Sequence, residues 1–297
     1  MPVDVAYDLE NRKALIHSHF EHLVTQTGQP YSRLIDAARY SLFNGGKRLR
    51  PLLVLGAAEA FEAPLEKAMP TACAIEMIHT YSLIHDDLPC MDDDDFRRGK
   101  PSLHKAFDEA HAVLAGDYLL TKAFQVISED EGLTPEQRVK LIALIAANSG
   151  AHGMVGGQSF DMCAEGAPLS LKDLQLLHSL KTGALITASL LAGATIGNAS
   201  REEYALMKLF GDELGLAFQI FDDILDVTHA FAKRGAQQSS DEANNKTTYV
   251  TLLGIEEAAR AGQTHRDKAL EHLKALKRET GFLEHLATGV GKGHCPS

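Results

Sequence analysis

Helix-start signals recur along the chain, whereas the alternation of apolar and polar residues that marks a half-buried strand does not. The sequence TPEQ at 134–137 combines an N-cap residue with proline at the first helical position and glutamine at the third. Ser200 and Glu203 repeat the capping-box spacing, and Ser170 stands three residues before Asp173. These signals predict an all-α protein.

Prolines, glycines and one β-branched run mark the expected helix boundaries. Pro70 suits the first turn of the helix that continues through ACAIEMIHTYSLIH, and the pairs Gly45-Gly46 and Gly156-Gly157 indicate breaks. The run 247–253 is the one serious strand candidate, and it fits a helix equally well. No proline-rich, serine-rich or low-complexity linker divides the chain. We therefore expect a single domain over residues 1–297, a large bundle of about ten helices.

Composition indicates which binding partners and which cellular compartment fit this chain. The chain of 297 residues carries 29 Lys and Arg against 40 Asp and Glu, and its net charge of −11 argues against nucleic acid as the main partner. The four cysteines show no paired spacing, which is typical of reduced thiols in a cytoplasmic protein. Residues 1–13 lack a secretory signal pattern. The 19 uncharged residues between Lys181 and Arg201 favour a buried helix over a membrane span.

Residues 83–101, LIHDDLPCMDDDDFRRGKP, hold six carboxylates followed directly by two arginines. Like charges at this density repel one another unless water or cations neutralise them. A solvated acidic loop is the commonest explanation of such a run. A calcium loop of the EF-hand type starting at Asp92 fails, because its sixth and twelfth positions hold Arg97 and Leu103 instead of glycine and glutamate. Magnesium with a phosphorylated ligand is the third explanation, since arginine matches the geometry of phosphate.

A second acidic cluster, in FQIFDDILDVT, places Asp222 and Asp226 on one face of a helix, with Asp223 beside them. Aspartates on an otherwise apolar helix are unfavourable unless they bind something, although an acidic solvent-facing side is the simpler alternative. Two facing helices with these clusters could hold several magnesium ions between them. Cations that could bind phosphate are Lys47 and Arg50 in GGKRLRP, Lys181 in SLKTG and Lys246 in NNKTTY, each of which alone is typical of a surface charge.

Seven motifs between residues 44 and 255 carry a family resemblance: GGKRLRP, DDLPCMDDDDFRRGKP, GDYLL, GGQSFD, LKTG, FQIFDDILD and NKTTY. With them the whole chain resembles the short-chain trans-isoprenyl diphosphate synthases, of the bacterial farnesyl and plant-like geranylgeranyl type. The resemblance implies an all-α isoprenoid-synthase bundle with a central cavity between two Asp-bearing helices, and a homodimer. It also implies a condensation in which an allylic diphosphate ionises, isopentenyl diphosphate attacks the allylic cation, and a proton is lost.

The resemblance also implies roles for individual residues. Magnesium, with several ions per site, is expected on Asp86, Asp92 and Asp222, supported by Asp87, Asp223 and Asp226. The residues expected to be catalytic are Asp86, Asp87, Asp92, Arg97, Lys181 and Asp222. The allylic diphosphate is expected on Arg97, Lys181 and Lys246, the isopentenyl diphosphate on Lys47, Arg50, His79 and Arg98, and the reacting carbons near Thr182 and Gln219. His85 and His104 are expected to be structural.

Two residues of the helix before the first cluster are expected to control product length. Tyr81 lies five residues before Asp86, about 7.5 Å along the helix axis, and Ser82 lies one turn from Asp86. By resemblance, farnesyl-type bacterial synthases have an aromatic residue at the position of Tyr81, whereas geranylgeranyl-type synthases have a small or unbranched one. We therefore expect Tyr81 to form the floor of the pocket and the product to be farnesyl diphosphate, although simple core packing is the alternative for this ring.

This chain departs from the family pattern in two places. The family has a Gly-Lys pair after the second aspartate cluster, and counting back from NKTTY places it on Gly235-Ala236, with Lys233 and Arg234 just before. Family members often end in a basic segment over the isopentenyl site, whereas this chain ends GVGKGHCPS, with Lys292 as the available cation. These departures concern the binding of the allylic diphosphate and the closure of the site.

Three other functions fit parts of the sequence. A geranylgeranyl diphosphate synthase would share the chemistry but need a deeper pocket. A terpene cyclase also uses aspartate-bound magnesium, but it has no use for a second diphosphate site such as GGKRLRP with Arg97 and Arg98. A non-catalytic partner subunit would be expected to lack an aspartate cluster, and this chain keeps both.

Overall fold

The fold is built almost entirely from helices, and a computed structural model describes it over residues 5–26, 28–232 and 246–291. Its α-helices are α1 Val5–Leu23, α2 Ser32–Leu42, α3 Leu49–Ala60, α4 Leu65–Asp86, α5 Leu103–Ala106, α6 Glu109–Ser128, α7 Pro135–Ser149, α8 Met154–Ala164, α9 Leu171–His178, α10 Ala184–Ile196, α11 Arg201–Ala232, α12 Tyr249–Leu253, α13 Ile255–Ala275 and α14 Gly281–Gly289. A π-helical turn, Ser179–Gly183, joins α9 to α10. The all-α prediction is confirmed.

A two-stranded hairpin interrupts the helices just after the first aspartate cluster. Its strands are β1 Phe96–Arg97 and β2 Lys100–Pro101, which pair antiparallel. The two residues between them, Arg98 and Gly99, both have positive φ angles, of 54° and 77°. That geometry matches a two-residue hairpin turn whose twist suits antiparallel strands. The hairpin therefore fixes where the two arginines of the RRG sequence lie.

The predicted helix starts are present. The Thr134 side chain accepts from the Gln137 N–H while Gln137 bonds back, a complete capping box. Ser200 and Glu203 exchange the same two hydrogen bonds, at 2.8 and 3.3 Å. Ser170 accepts from the Asp173 N–H at 3.2 Å. Residues 249–253 of the run 247–253, which fitted a strand or a helix, form α12. Gly45 and Gly46 lie in the loop between α2 and α3, with φ of 71° and 109°.

Two boundary predictions were wrong. Pro70 lies inside α4, because the helix-favouring residues from Leu65 onward start the helix five positions earlier. Gly156 and Gly157 lie inside α8 and do not break it. Close packing explains Gly157, since a Cβ there would lie 2.3 Å from the backbone nitrogen of Lys181.

Helix α10 runs through the middle of the core. It packs on α3, α4, α7 and α11, and the main apolar cluster joins residues from Leu9 to Val290. By length and composition the stretch Leu171–Ile196 could cross a membrane. However, 72% of its most apolar 18 residues are buried inside the protein. That burial is typical of a central helix in a bundle, as the uncharged run between Lys181 and Arg201 predicted.

The contact between α10 and α3 yields a stability prediction. Alanine usually improves a helix interior relative to glycine, but a Cβ on Gly193 would lie 2.4 Å from the Val54 carbonyl oxygen. We expect Gly193→Ala to lower the free energy of unfolding by about 1–3 kcal/mol through overpacking. Denaturant unfolding measures the change. Gly28→Ala is the control, because a Cβ there would have no described atom within 4 Å. A Gly193→Ala protein as stable as wild type would contradict the packing argument.

Candidate active site

The end of α4 and the loop after it bring two of the predicted metal ligands together. Asp86 is the last residue of α4, and the Asp92 N–H donates to the Asp86 carbonyl oxygen at 2.9 Å, which folds the loop back onto the helix end. Both side chains are partly buried. Burial raises the pKa of Asp86 to about 6; Lys181 opposes this shift and Asp92 adds to it. Carboxylates in such surroundings favour a bound cation.

Asp87 and Arg97 are paired with each other. Arg97 Nε donates to Asp87 Oδ1 at 2.9 Å, and Arg97 Nη2 contacts Asp87 and donates to Asp94 Oδ2 at 3.0 Å. Burial raises the pKa of Asp87, and the hydrogen bonds from Arg97 oppose that shift. In this arrangement Asp87 fixes Arg97 against the end of α4.

A carboxylate to which the sequence assigned no role, Asp161 of α8, holds two of the predicted phosphate-binding lysines. Lys181 Nζ donates to Asp161 Oδ2 at 2.6 Å, and Lys246 Nζ donates to the same oxygen at 3.2 Å. Lys246 Nζ also lies 3.5 Å from Asp92 Oδ1. Burial acts to raise the pKa of Asp161, but the two lysines outweigh it and hold the pKa below its ordinary value.

The three aspartates of the second cluster, on α11, have different surroundings. Asp222 is partly buried and lines a small cleft with Lys47. Asp226 is exposed. Asp223 is buried and accepts two hydrogen bonds, from Gln219 Nε2 at 3.1 Å and from the Tyr249 backbone N–H at 2.9 Å. Asp223 therefore fixes the start of α12, while Asp222 and Asp226 occupy the shared helix face that their spacing predicted.

Residues 246–249 connect the two clusters. Lys246 contacts Asp92, and the Tyr249 N–H donates to Asp223. Three residues span at most about 10 Å, so the clusters border one region. A hydrogen bond of 2.9 Å from Thr182 Oγ1 to Gln219 Oε1 joins the π-helical turn to α11, and it brings together the two residues expected near the reacting carbons.

The GGKRLRP loop and Arg98 form a cationic cluster. Arg98 Nη1 donates to the Gly45 carbonyl at 2.7 Å. Gly46, with φ of 109°, lets the guanidinium lie against the backbone, because a Cβ there would be 2.5 Å from Arg98 Cζ.

Burial lowers the pKa of Arg50 to about 10, and Arg50 Nε has no hydrogen-bond partner among the described residues. Burial and the neighbouring arginines hold the pKa of His79 well below its ordinary value, so its ring is neutral. A partly buried guanidinium whose buried Nε lacks a hydrogen-bond acceptor suits an anionic ligand.

A cavity of about 680 Å³ extends from the first cluster. Asp86, Arg50 and Lys181 border it with His79 and Thr182, and side chains of α4, α6 and α8 form much of the remaining wall. Its volume is in the range of small-molecule sites, roughly 300–1,000 Å³. Asp222 of the second cluster borders the smaller cleft instead, and it stabilises the charge of Arg50, which lines the larger cavity.

Tyr81 and Ser82 both line this cavity. The Tyr81 ring is buried and packs edge-on against His85, with ring centroids 5.7 Å apart. His85 Nε2 in turn lies 3.1 Å from the Val113 carbonyl oxygen, and Gly116 leaves it room, since a Cβ there would lie 2.1 Å from the same nitrogen. Tyr81 is therefore braced between α4 and α6.

Two further polar residues of the site were not predicted. Gln158, in the GGQSFD motif, is buried in the cavity wall, and its amide atoms have no hydrogen-bond partner among the described residues. Glu76 forms a buried pair with Arg48, with 2.8 Å between Oε1 and Nη1. A lone glutamate in the apolar run ACAIEMI was the available signal for Glu76. The departures at Gly235-Ala236 and Lys292, with Lys233 and Arg234, lie outside the described residues.

The first cluster fits a divalent metal. Asp86 and Asp92 offer carboxylate oxygens, which magnesium prefers, and Asp222 of α11, close enough to Arg50 to stabilise its charge, adds another. The raised pKa of Asp86 indicates that its charged form lacks sufficient compensation from the protein. A divalent ion would supply it.

Comparison with known proteins agrees with this geometry. The family model described as Polyprenyl synthetase matches residues 32–282. The chain is 47% identical to the farnesyl diphosphate synthase of Geobacillus stearothermophilus, over 94% of each protein. It is 44% identical to a chloroplastic geranylgeranyl pyrophosphate synthase of Catharanthus roseus, over 83% of this chain and 70% of the relative. A geranyltransferase of Helicobacter pylori, solved with magnesium and isoprenyl diphosphate, superposes with a TM-score of 0.82 at 36% identity, over 98% of this chain and 97% of the other.

The surroundings of Asp86 yield a prediction about pH and stability. Its folded pKa of about 6 exceeds the ordinary 3.8, so the folded state binds the proton more tightly and wild type loses stability as pH rises between these values. In chelator, Asp86→Asn should therefore raise the free energy of unfolding by about 1–3 kcal/mol near pH 7, and the gain should vanish below about pH 4. Urea unfolding across this range measures it.

The control for this test is Asp117→Asn, which removes an exposed carboxylate of α6. It should show no such gain. Equal stability of wild type and Asp86→Asn at every pH would contradict the desolvation of Asp86.

Proposed function

The chain belongs to the polyprenyl synthetase family, and on that basis we propose that it is a farnesyl diphosphate synthase. It would join isopentenyl diphosphate to dimethylallyl or geranyl diphosphate, as a trans-prenyltransferase. The observation that carries this assignment is the junction at Asp86, where a carboxylate pair, a cationic cluster and an apolar cavity meet. A diphosphate with a hydrocarbon tail needs all three.

Magnesium fits Asp86, Asp92 and Asp222, with Asp87, Asp223 and Asp226 in support, and more than one ion is proposed. Bound there, it neutralises the negative charge of the departing diphosphate. The protein adds Lys181 and Lys246, whose ammonium groups sit side by side on Asp161 and can reach the same oxygens. Arg97, fixed by Asp87, completes the proposed binding set for the allylic diphosphate.

Isopentenyl diphosphate is assigned to Lys47, Arg50, His79 and Arg98. The buried, unsatisfied Nε of Arg50 supports this, because a phosphate oxygen would accept its hydrogen bond. His79 is neutral, so it can donate one N–H to phosphate without adding charge.

The order of bond changes follows from this placement. The allylic carbon–oxygen bond breaks, the double bond of isopentenyl diphosphate attacks the allylic cation to form the new carbon–carbon bond, and a proton leaves. The hydroxyl oxygen of Thr182 presents partial negative charge at the border of the cavity, and its hydrogen bond to the amide oxygen of Gln219 holds it in place. The apolar wall keeps water from the cation, which would otherwise be quenched.

Two rival functions fit less well. A terpene cyclase would not need the second cationic cluster around Arg50 and Arg98. A geranylgeranyl diphosphate synthase would need space beyond Tyr81, whose ring is braced by His85.

The quaternary and cellular setting is also a proposal. The exposed apolar side chains of Val113, Leu114 and Val139, on α6 and α7, support a homodimer through this side. We expect one catalytic domain over residues 1–297 and a cytoplasmic location, because the cysteine spacing is that of reduced thiols.

Activity should depend on magnesium and on both aspartate clusters. Asp86→Ala and Asp222→Ala should each lower kcat by at least about a hundred- to a thousand-fold, the loss that follows removal of one transition-state stabiliser. Release of diphosphate in steady-state assays measures it, with Asp117→Ala as the matched control on an exposed carboxylate. Full turnover in chelator, or in Asp222→Ala, would exclude the proposed mechanism.

Tyr81 should set the length of the product. Tyr81→Ala removes the braced ring from the cavity wall, so chains of twenty carbons or more should replace the fifteen-carbon product. Chromatography of the dephosphorylated alcohols gives the distribution. Tyr81→Phe keeps the ring and should keep the fifteen-carbon product. If wild type makes mainly twenty carbons, or Tyr81→Ala still stops at fifteen, the floor lies elsewhere.

A further inference from the structure

We propose that Asp93, Asp95 and His104 form a second metal site, separate from the aspartates of α4 and α11, which takes a divalent transition-metal ion such as Zn²⁺. One donor atom from each of these three residues lies within 4.8 Å of the other two. Nothing in the proposed condensation uses them. The site lies on the loop between Asp92 and the hairpin, and on α5 just beyond it.

The strongest indication is the state of His104. Its side chain is only 7% exposed, and Nε2 is buried without a hydrogen-bond partner among the described residues. The other ring nitrogen, Nδ1, lies 3.2 Å from Ser102 Oγ. A histidine ring positioned by one nitrogen and unsatisfied at the other is suited to bind a metal, because the contact with Ser102 holds the ring while Nε2 has no protein partner among the described residues.

The two carboxylates are held near this ring by the backbone. Asp93 has a φ of 50°, and its N–H donates to the Leu88 carbonyl at 3.2 Å. The Asp95 carbonyl accepts from the Ser102 N–H at 2.9 Å. The intervening Asp94 is engaged by Arg97 at 3.0 Å. The Asp93 and Asp95 carboxylates, by contrast, each have an oxygen within 4.8 Å of a ring nitrogen of His104.

One cation already touches this group. Lys105 Nζ lies 2.8 Å from Asp95 Oδ1, and both side chains are largely exposed, at 44% and 57%. Exposed ion pairs of this kind are weak. The second oxygen of Asp95 and both oxygens of Asp93 remain geometrically available to an ion, so Lys105 competes with the metal but does not occupy the site.

The donor set selects the metal. One imidazole nitrogen with two carboxylates suits zinc and its neighbours, whereas magnesium prefers oxygen ligands alone. Around tetrahedral Zn²⁺ the donor atoms stand about 3.4 Å apart. The exposed carboxylates would close the remaining gap by side-chain rotation, and water would complete the coordination. Binding would tie the loop that carries Asp92 to α5 and so hold the hairpin of Arg97 and Arg98.

Zinc binding in excess magnesium tests the proposal. Tag-free protein is saturated with Mg²⁺, which fills the all-oxygen sites, and is then titrated with ZnCl₂ against a fluorescent zinc indicator. Wild type should bind one tight equivalent, and Asp93→Asn and His104→Ala should each weaken it at least tenfold. Zinc should also raise the melting temperature of wild type but not of Asp93→Asn.

His111→Ala is the matched control, since His111 Nδ1 also lies 2.9 Å from a carboxylate, that of Asp108, on the neighbouring helix. It should bind zinc as wild type does. If His104→Ala fails to fold, the zinc affinity of Asp93→Asn tests the proposal, because Asp93 is exposed and its substitution should leave the fold intact. The proposal is overturned if Mg²⁺-saturated wild type binds no zinc equivalent, if Asp93→Asn binds it as tightly as wild type, or if His111→Ala loses it.

Discussion

Asp161 holds the ammonium groups of Lys181 and Lys246 on one carboxylate oxygen, and the arrangement of the site depends on this charge balance. Two ammonium groups this close would repel each other without the carboxylate between them. Their carriers, the π-helical turn and the segment before α12, would then separate. Lys181 also stabilises the charge of Asp86, and Lys246 contacts Asp92. One interaction therefore sets the electrostatic field at the first aspartate cluster and the position of two cations.

Glycines allow this ion pairing to form. The α8 backbone approaches the π-helical turn so closely that a Cβ on Gly157 would lie 2.3 Å from the Lys181 nitrogen. On the other side, a Cβ on Gly215 of α11 would lie 2.8 Å from the Gly183 Cα. The turn that carries Lys181 and Thr182 is thus held between two helices at backbone contact. Side-chain positions at the site follow from backbone packing that larger residues would prevent.

Local chemistry made part of this structure predictable from sequence. The caps at Thr134 and Ser200 involve residues three positions apart, and the buried α10 follows from its lack of charge. The prediction that α4 begins at Pro70 was wrong, because the residues before the proline favour a helix strongly enough to start it at Leu65. Gly157 was wrongly predicted to break a helix, because the requirement for glycine comes from its close contact with Lys181, 24 positions further along the chain.

The site was harder to predict. The pairing of Asp87 with Arg97 depends on the Arg98-Gly99 turn, whose sequence is not one of the usual hairpin signals. The role of Asp161 depends on partners in other helices, which no local pattern encodes.

The contact of Lys246 with Asp92 joins residues 154 positions apart, and the contact with Asp161 spans 85. Closing loops of this size is entropically unfavourable until the intervening helices have packed. During synthesis from the N-terminus, α1 to α10 can collapse around their own apolar surfaces while Lys246 is still unmade. The first aspartate cluster then faces water without one of its cations. The first aspartate cluster therefore acquires the Lys246 cation only after residue 246 has been made, and a nascent chain that stalls before that point has an incomplete site.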